Sequence, residues 1–190
     1  MVAALLADGR LYELLQRFDE DLAAEHRACG CPCCGGVLHS ARYRRKPRGF
    51  TGLAPGYGWR LSLCCAREGC RKRATPASLR FLGRKVYLGA VVVLVSVLRC
   101  GVSPARMRYL EERVGVRRRT VMRWRKWWCE ELIATPFWRA ACAAVMPPLE
   151  HSELPASLLE RFAGVSGDRL ISALRFIAPL TTSSAAMRAM

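Results

Sequence analysis

Seven cysteines lie between Cys29 and Cys70, in two clusters thirty residues apart, and they constrain the fold more than any other feature. The first cluster reads Cys31-Pro-Cys-Cys34-Gly-Gly and the second Cys64-Cys-Ala-Arg-Glu-Gly-Cys70. A tight turn can present two thiolates about 2.3 Å from one tetrahedral ion, and a glycine after the second cysteine relieves the backbone. Two such turns joined by a strand-rich excursion predict a closed site formed by Cys31, Cys34, Cys65 and Cys70. Cys29, Cys33 and Cys64 are spare thiols. Cys64 is an alternative to Cys65, because neighbours on a strand point to opposite faces, and His39 is an alternative to one cysteine. A closed four-thiolate site with no glutamate beside the first turn predicts structural zinc and no catalytic metal. Nor is there a Cys-x-x-Cys at the start of a helix in a βαβ unit, as thioredoxin-like chemistry requires.

The 190 residues carry a formal charge of +16, and its distribution is uneven. Residues 1–41 have a net charge of −3, Arg42 to Lys126 a net of +20, and the residues from Cys129 onward a net of −1. One central segment therefore faces a polyanion, with nucleic acid the first expectation and an anionic membrane surface the second. Of the basic residues 27 are Arg and four are Lys, while Asn is absent and Ile occurs three times, which suggests a GC-rich coding sequence behind part of the arginine preference. The opening residues lack the charged-then-apolar layout of a signal peptide. The strongly apolar uncharged run Val86–Leu98 has 13 residues, against the roughly 20 of a membrane span. A cytoplasmic, nucleoid-associated location is expected, and there ten cysteines favour metal ligation over disulfides.

Hydrophobic spacing divides the chain into five parts. Residues 1–28 predict a helix, with Leu5, Leu11, Leu14, Leu15, Phe18 and Leu22 near helical spacing. Residues 29–83 form the cysteine module, its middle reading as short strands and loops. Residues 84–133 hold an apolar helix from Arg84 to Cys100, a second capped by Ser103–Pro104 and running to Val114, and a third from Arg117 to Glu131. Residues 134–180 predict a helix from Thr135–Pro136 up to Pro147–Pro148, then helices over Leu154–Phe162 and Asp168–Ile177. Residues 181–190 read as a frayed tail. The fold class is mainly α with a small β zinc ribbon.

Two basic elements stand out. Arg42, Arg44, Arg45, Lys46 and Arg48 form an acid-free run suited to following a phosphate backbone. Arg71, Lys72 and Arg73 follow the second cysteine cluster, and Arg80, Arg84 and Lys85 extend the strip. The second element is SPARMRYLEERVGVRRRTVMRWRKWW from Ser103 to Trp128. Leu110, Val114, Val116, Val121 and Trp124 are spaced as the inward residues of two helices crossing at a turn, and Gly115 sits where that turn needs a positive φ. Arg117, Arg118, Arg119 and Thr120 would then approach base edges, with Arg123 and Lys126 nearer to phosphates. Trp124, Trp127 and Trp128 are expected in the helix packing, at helical periodicity.

The segments CPCCGG at 31–36, CCAREGCRKRATP at 64–76 and GVRRRTVMRWRKWW at 115–128 resemble the N-terminal recognition region of insertion-sequence transposases and their accessory proteins. There a Cys₄ zinc ribbon precedes a helix-turn-helix ending in an Arg-Trp pattern. The resemblance spans roughly residues 29–130 and implies binding of double-stranded DNA, at element ends in particular. A small residue is usual four positions before the turn glycine, where this chain has Glu111. The family's nuclease needs three carboxylates around two metal ions, and here no Asp lies between 22 and 167. A non-enzymatic DNA binder is therefore expected, with a separate transposase or integrase, and a second copy of the chain, as further partners. A zinc-stabilised RNA-binding or ribonucleoprotein assembly factor is the alternative. A thiol- or metal-dependent enzyme using the spare cysteines ranks third. The acidic C-terminal helices read equally as a partner surface or as a cap on the helical core.

Overall fold

Leu11, Tyr12 and Leu15 lie on one stripe of a twenty-residue helix, and burying that stripe begins the core. The computed structural model describes residues 2–49, 52–83, 85–97, 104–143 and 145–182. Among these the chain is mainly helical, with a small antiparallel sheet.

The expected first helix is divided. α1 spans Val2–Leu6 and α2 spans Gly9–Ala28, because the Asp8 side chain accepts from the Arg10 N–H at 3.0 Å and restarts the helix as its N-cap. The sheet follows in the order β1 (Leu38–Arg44), β2 (Trp59–Cys65) and β3 (Arg73–Ala74), with Leu38 opposite Cys65 and Arg44 opposite Trp59. Arg42 to Arg44, at the start of the basic run in the stretch expected to hold short strands and loops, thus belong to a paired strand.

The apolar helix α3 is shorter than its hydropathy suggests and spans Gly89–Val97. Before it the chain is held by extended pairings, Arg48 with Tyr87 and Phe81 with Leu88, so 85–88 cannot join the helix. Arg84 and the far end, Leu98 to Cys100, lie outside the described residues. Val91, Val92, Val93 and Val95 are completely buried, so this helix is enclosed on all sides by α1, α5 and α8. Valine favours strands weakly, and the surrounding helices override that preference.

α4 (Pro104–Val114) and α5 (Arg118–Lys126) are joined by the turn Gly115–Arg117, with Gly115 at φ 64°. The expected cap Ser103 lies outside the described residues. Leu110, Val114, Val116 and Trp124 are buried and Val121 half-buried, as their spacing implies. Beyond Lys126 the expected single helix widens into a π-helical turn, Trp127–Glu131, where the Leu132 N–H reaches the Trp127 carbonyl at 2.8 Å. α6 (Pro136–Cys142) starts at Thr135, whose hydroxyl accepts from the Trp138 N–H at 3.1 Å, and ends before the two prolines. α7 (Ala156–Glu160) and α8 (Ser166–Ile177) complete the helices. Thr181, placed in the tail by its sequence, is buried and accepts the Ser78 N–H at 2.8 Å.

One core joins all of these helices with Tyr57, Leu79 and Phe81. A second, small core consists of Cys31, Leu38, Leu63, Cys65 and Ala74, with Cys34 and Cys70 against it. No helix among the described residues is long and apolar enough to cross a membrane.

Candidate metal centre

Two turns and one strand end build the cysteine site. Residues 31–36 close on themselves through Cys31 N–H to Gly36 O and Gly35 N–H to Cys31 O, both 2.8 Å. Cys65 ends β2 on the face it shares with Leu38 and Leu63, and a turn at 67–70 brings Cys70 back. The sulfurs of Cys31, Cys34, Cys65 and Cys70 all lie within 4.8 Å of one another. Cys31 and Cys70 are 3.8 Å apart and Cys34 and Cys65 3.5 Å.

Backbone donors prepare the thiols unequally. The N–H groups of Cys33 and Cys34 draw Cys31 below its usual range. The Gly36 N–H, then the Cys65 thiol, draws Cys34 down to about 6. Burial pushes Cys65 up. Against the pull of the Lys72 N–H, the Cys34 thiol and burial lift Cys70 to about 12. Four thiolates this close repel one another, so full ionisation requires a cation among them. The donor set fits one: these four cysteines could hold a metal ion.

The spare thiols stand apart from this cluster. Cys64 faces the opposite side of β2, its sulfur 3.7 Å from the Arg71 carbonyl, while Cys29 and Cys33 are exposed. His39, opposite Cys64 in the sheet, is exposed and outside the cluster. Strand alternation separates the two candidates at 64 and 65.

The basic candidates divide by burial. Arg42, Arg44, Lys46, Arg48, Arg71, Lys72 and Arg73 are exposed, as are Arg117, Arg118, Arg119, Arg123 and Lys126. Arg117 pairs with Glu111 across the turn at 3.1 Å. Two other basic candidates, Arg45 and Arg80, turn inward, as does Thr120. Arg45 donates to the carbonyls of Gly83 and Lys85 at 3.1 and 2.9 Å, so its guanidinium is occupied by backbone. Thr120 is buried at 7 % exposure on the packed side of α5. Arg80, counted by sequence in the basic strip, is buried against Asp19. For the two arginines the charge pattern is local, whereas the partner that withdraws the side chain is remote.

Trp59 was not singled out by the sequence reading as a site residue. The guanidinium carbons of Arg42 and Arg44 lie 4.7 and 5.4 Å from its ring centroid, so one indole organises two arginines of the strand beside it. The readable signal is the Arg-Tyr-Arg alternation, which puts both arginines on one face. Trp127 carries the Lys85 ammonium in the same way, at 4.3 Å.

No family model matches the chain, and neither a curated protein nor a solved structure matches it.

Proposed function

We propose that the chain is a sequence-specific double-stranded DNA-binding protein that acts by binding and carries out no chemistry, an accessory or regulatory component of a mobile genetic element. In this reading Cys31, Cys34, Cys65 and Cys70 hold structural zinc in a ribbon. α4 and α5 act as a helix-turn-helix with α5 as the recognition helix. The observation that carries it is the surface of α5. Arg118, Arg119, Met122, Arg123, Arg125 and Lys126 are exposed on a helix without one acid, while Thr120 and Trp124 anchor its other side. A rigid helix with this surface suits the major groove, where arginine reads guanine and an apolar tip reads the thymine methyl.

Zinc is supported by geometry as well as by donor type. A tetrahedron with 2.3 Å arms has edges of about 3.8 Å; two of the sulfur separations are 3.5 and 3.8 Å, and all lie within 4.8 Å. The ion would brace the small core that carries β1 and so hold Arg42 and Arg44 over Trp59. That cation–aromatic face also suits an unpaired base, which keeps RNA as the second reading.

The test is a competition between duplex DNA and structured RNA for the zinc-loaded full chain, followed by selection of a duplex site from random sequence. The expected result is enrichment of one duplex sequence, bound more tightly than scrambled DNA. Preferential binding of structured RNA, with no duplex enriched, overturns the reading.

A further inference from the structure

The flank of α5 forms a cleft of about 350 Å³ with the extended segment Lys85–Tyr87. Lys85, Arg123, Lys126, Trp127 and Glu131 supply its charged and aromatic lining. Three cations face one acid there, and among the described residues none of the three forms an ion pair. We propose that this cleft is a phosphate site that takes one phosphodiester of a DNA backbone, held by Lys85, Arg123 and Lys126 beside the Trp127 ring. The proposal rests on the reading of α5 as the DNA-facing helix.

Lys85 is held in place at the cleft. Its carbonyl receives the Arg45 guanidinium at 2.9 Å, its N–H donates to Leu82 O at 3.1 Å, and its ammonium sits 4.3 Å from the Trp127 centroid. The next residues are equally held. Tyr87 meets Trp124 edge-on at 5.0 Å and donates to the Gly115 carbonyl at 2.8 Å, which ties this segment to the α4–α5 turn. Arg45, itself in the first basic run, therefore acts by positioning Lys85.

Glu131 is the cleft's one carboxylate, set against three cations. Lys85 is half-buried, and burial pulls its ammonium below the usual lysine range although Glu131 works against that. Three cations that share one carboxylate, with Lys85 partly desolvated, are costly, and a phosphate would add the negative charge that offsets them. Arg123 leans to this side, 3.4 Å from the Thr120 hydroxyl. A helix that enters a groove needs backbone contacts at its margins to set its register, and this site lies at such a margin.

The test uses the zinc-loaded full chain and three probes: duplex DNA of mixed sequence, thymidine monophosphate and inorganic phosphate. Lys85→Met retains the stem over Trp127 and removes the charge; Lys126→Met removes an exposed cation and cannot disturb the core. The expected result is that each variant flattens the salt dependence of duplex binding by about one unit of slope, equally for selected and scrambled sequences. Trp127 emission, isolated by difference from Trp127→Phe, should change with duplex. Unchanged slopes and emission in the presence of duplex binding overturn the cleft and leave the DNA reading intact. Without duplex binding, a Lys85-dependent emission change with thymidine monophosphate or inorganic phosphate overturns the DNA backbone as the source and keeps the phosphate site. Silence with all three probes overturns the site itself.

Discussion

Asp19 and Arg80, sixty-one positions apart, meet at 2.9 Å with their side chains 0 % and 2 % exposed. Asp19 also accepts from the Ser78 hydroxyl and the Leu79 N–H, while Arg80 donates to the carbonyls of Tyr57 and Trp59. The guanidinium lies 5.1 Å from the rings of both Tyr57 and Phe81. One acid of the N-terminal helix thereby joins α2, β2 and the segment leading to α3.

Removing one member of a buried pair leaves the other charge uncompensated. Asp19→Ala should therefore destabilise the chain by about 3–5 kcal/mol, whereas Asp21→Ala, on the exposed side of the same helix, should cost under about 0.5 kcal/mol. Asp19→Leu combined with Arg80→Met should cost less than the sum of the two single changes. Urea denaturation of the two alanine variants, the Asp19→Leu and Arg80→Met single variants and their double is the measurement, and additive costs would show that the pair is not coupled.

Metal content is the second expectation. Zinc should be present at one per chain, and chelation should release the small core around Cys31, Leu38, Leu63, Cys65 and Ala74. The main core contains none of the four ligands, so most helical circular dichroism should persist. Cys31→Ser and Cys70→Ser should mimic chelation, while Cys33→Ser, at an exposed position, should not. A metal-free, fully folded preparation would contradict the zinc assignment, and loss of all helix in one transition would contradict the independence of the two cores.

Specificity and affinity should separate by element. Arg119→Ala should narrow the gap between a selected site and scrambled DNA by about 1–3 kcal/mol. Arg42→Ala with Arg44→Ala should weaken both alike and flatten the salt slope by about two units. Arg45→Ala should lower the melting temperature, since its hydrogen bonds go to Gly83 and Lys85, and should alter the salt slope only through Lys85. Binding titrations at several salt concentrations decide this. Loss of specificity in the strand variant, with none in the Arg119 variant, would reverse the roles.

The turn glycines differ in what they tolerate. Gly115 has φ 64° with nothing within 4 Å of an added Cβ, so Gly115→Ala should cost about 1–2 kcal/mol from the left-handed backbone alone. Gly49 has φ 117°, and an added Cβ would lie 2.6 Å from Val91 Cγ2, a completely buried side chain. Gly49→Ala should therefore cost more than Gly115→Ala, by about 1–3 kcal/mol of overpacking. Equal melting temperatures for the two variants would contradict this.

Much of the architecture was legible because its causes are local. The cysteine spacing identified the four thiols that converge, since a tight turn and the end of a strand determine where neighbouring side chains point. The turn at Gly115, the inward face of α4 and α5 and the Thr135 cap are likewise set by residues within a few positions. The basic residues were another matter. Arg44, Arg45 and Arg80 look alike in sequence, yet one is exposed beside Trp59, one clamps the backbone at Lys85 and one is buried on Asp19. Whether an arginine meets water or a buried acid depends on what packs over it. Here that was decided by elements tens of residues away, through burial that no local pattern carries.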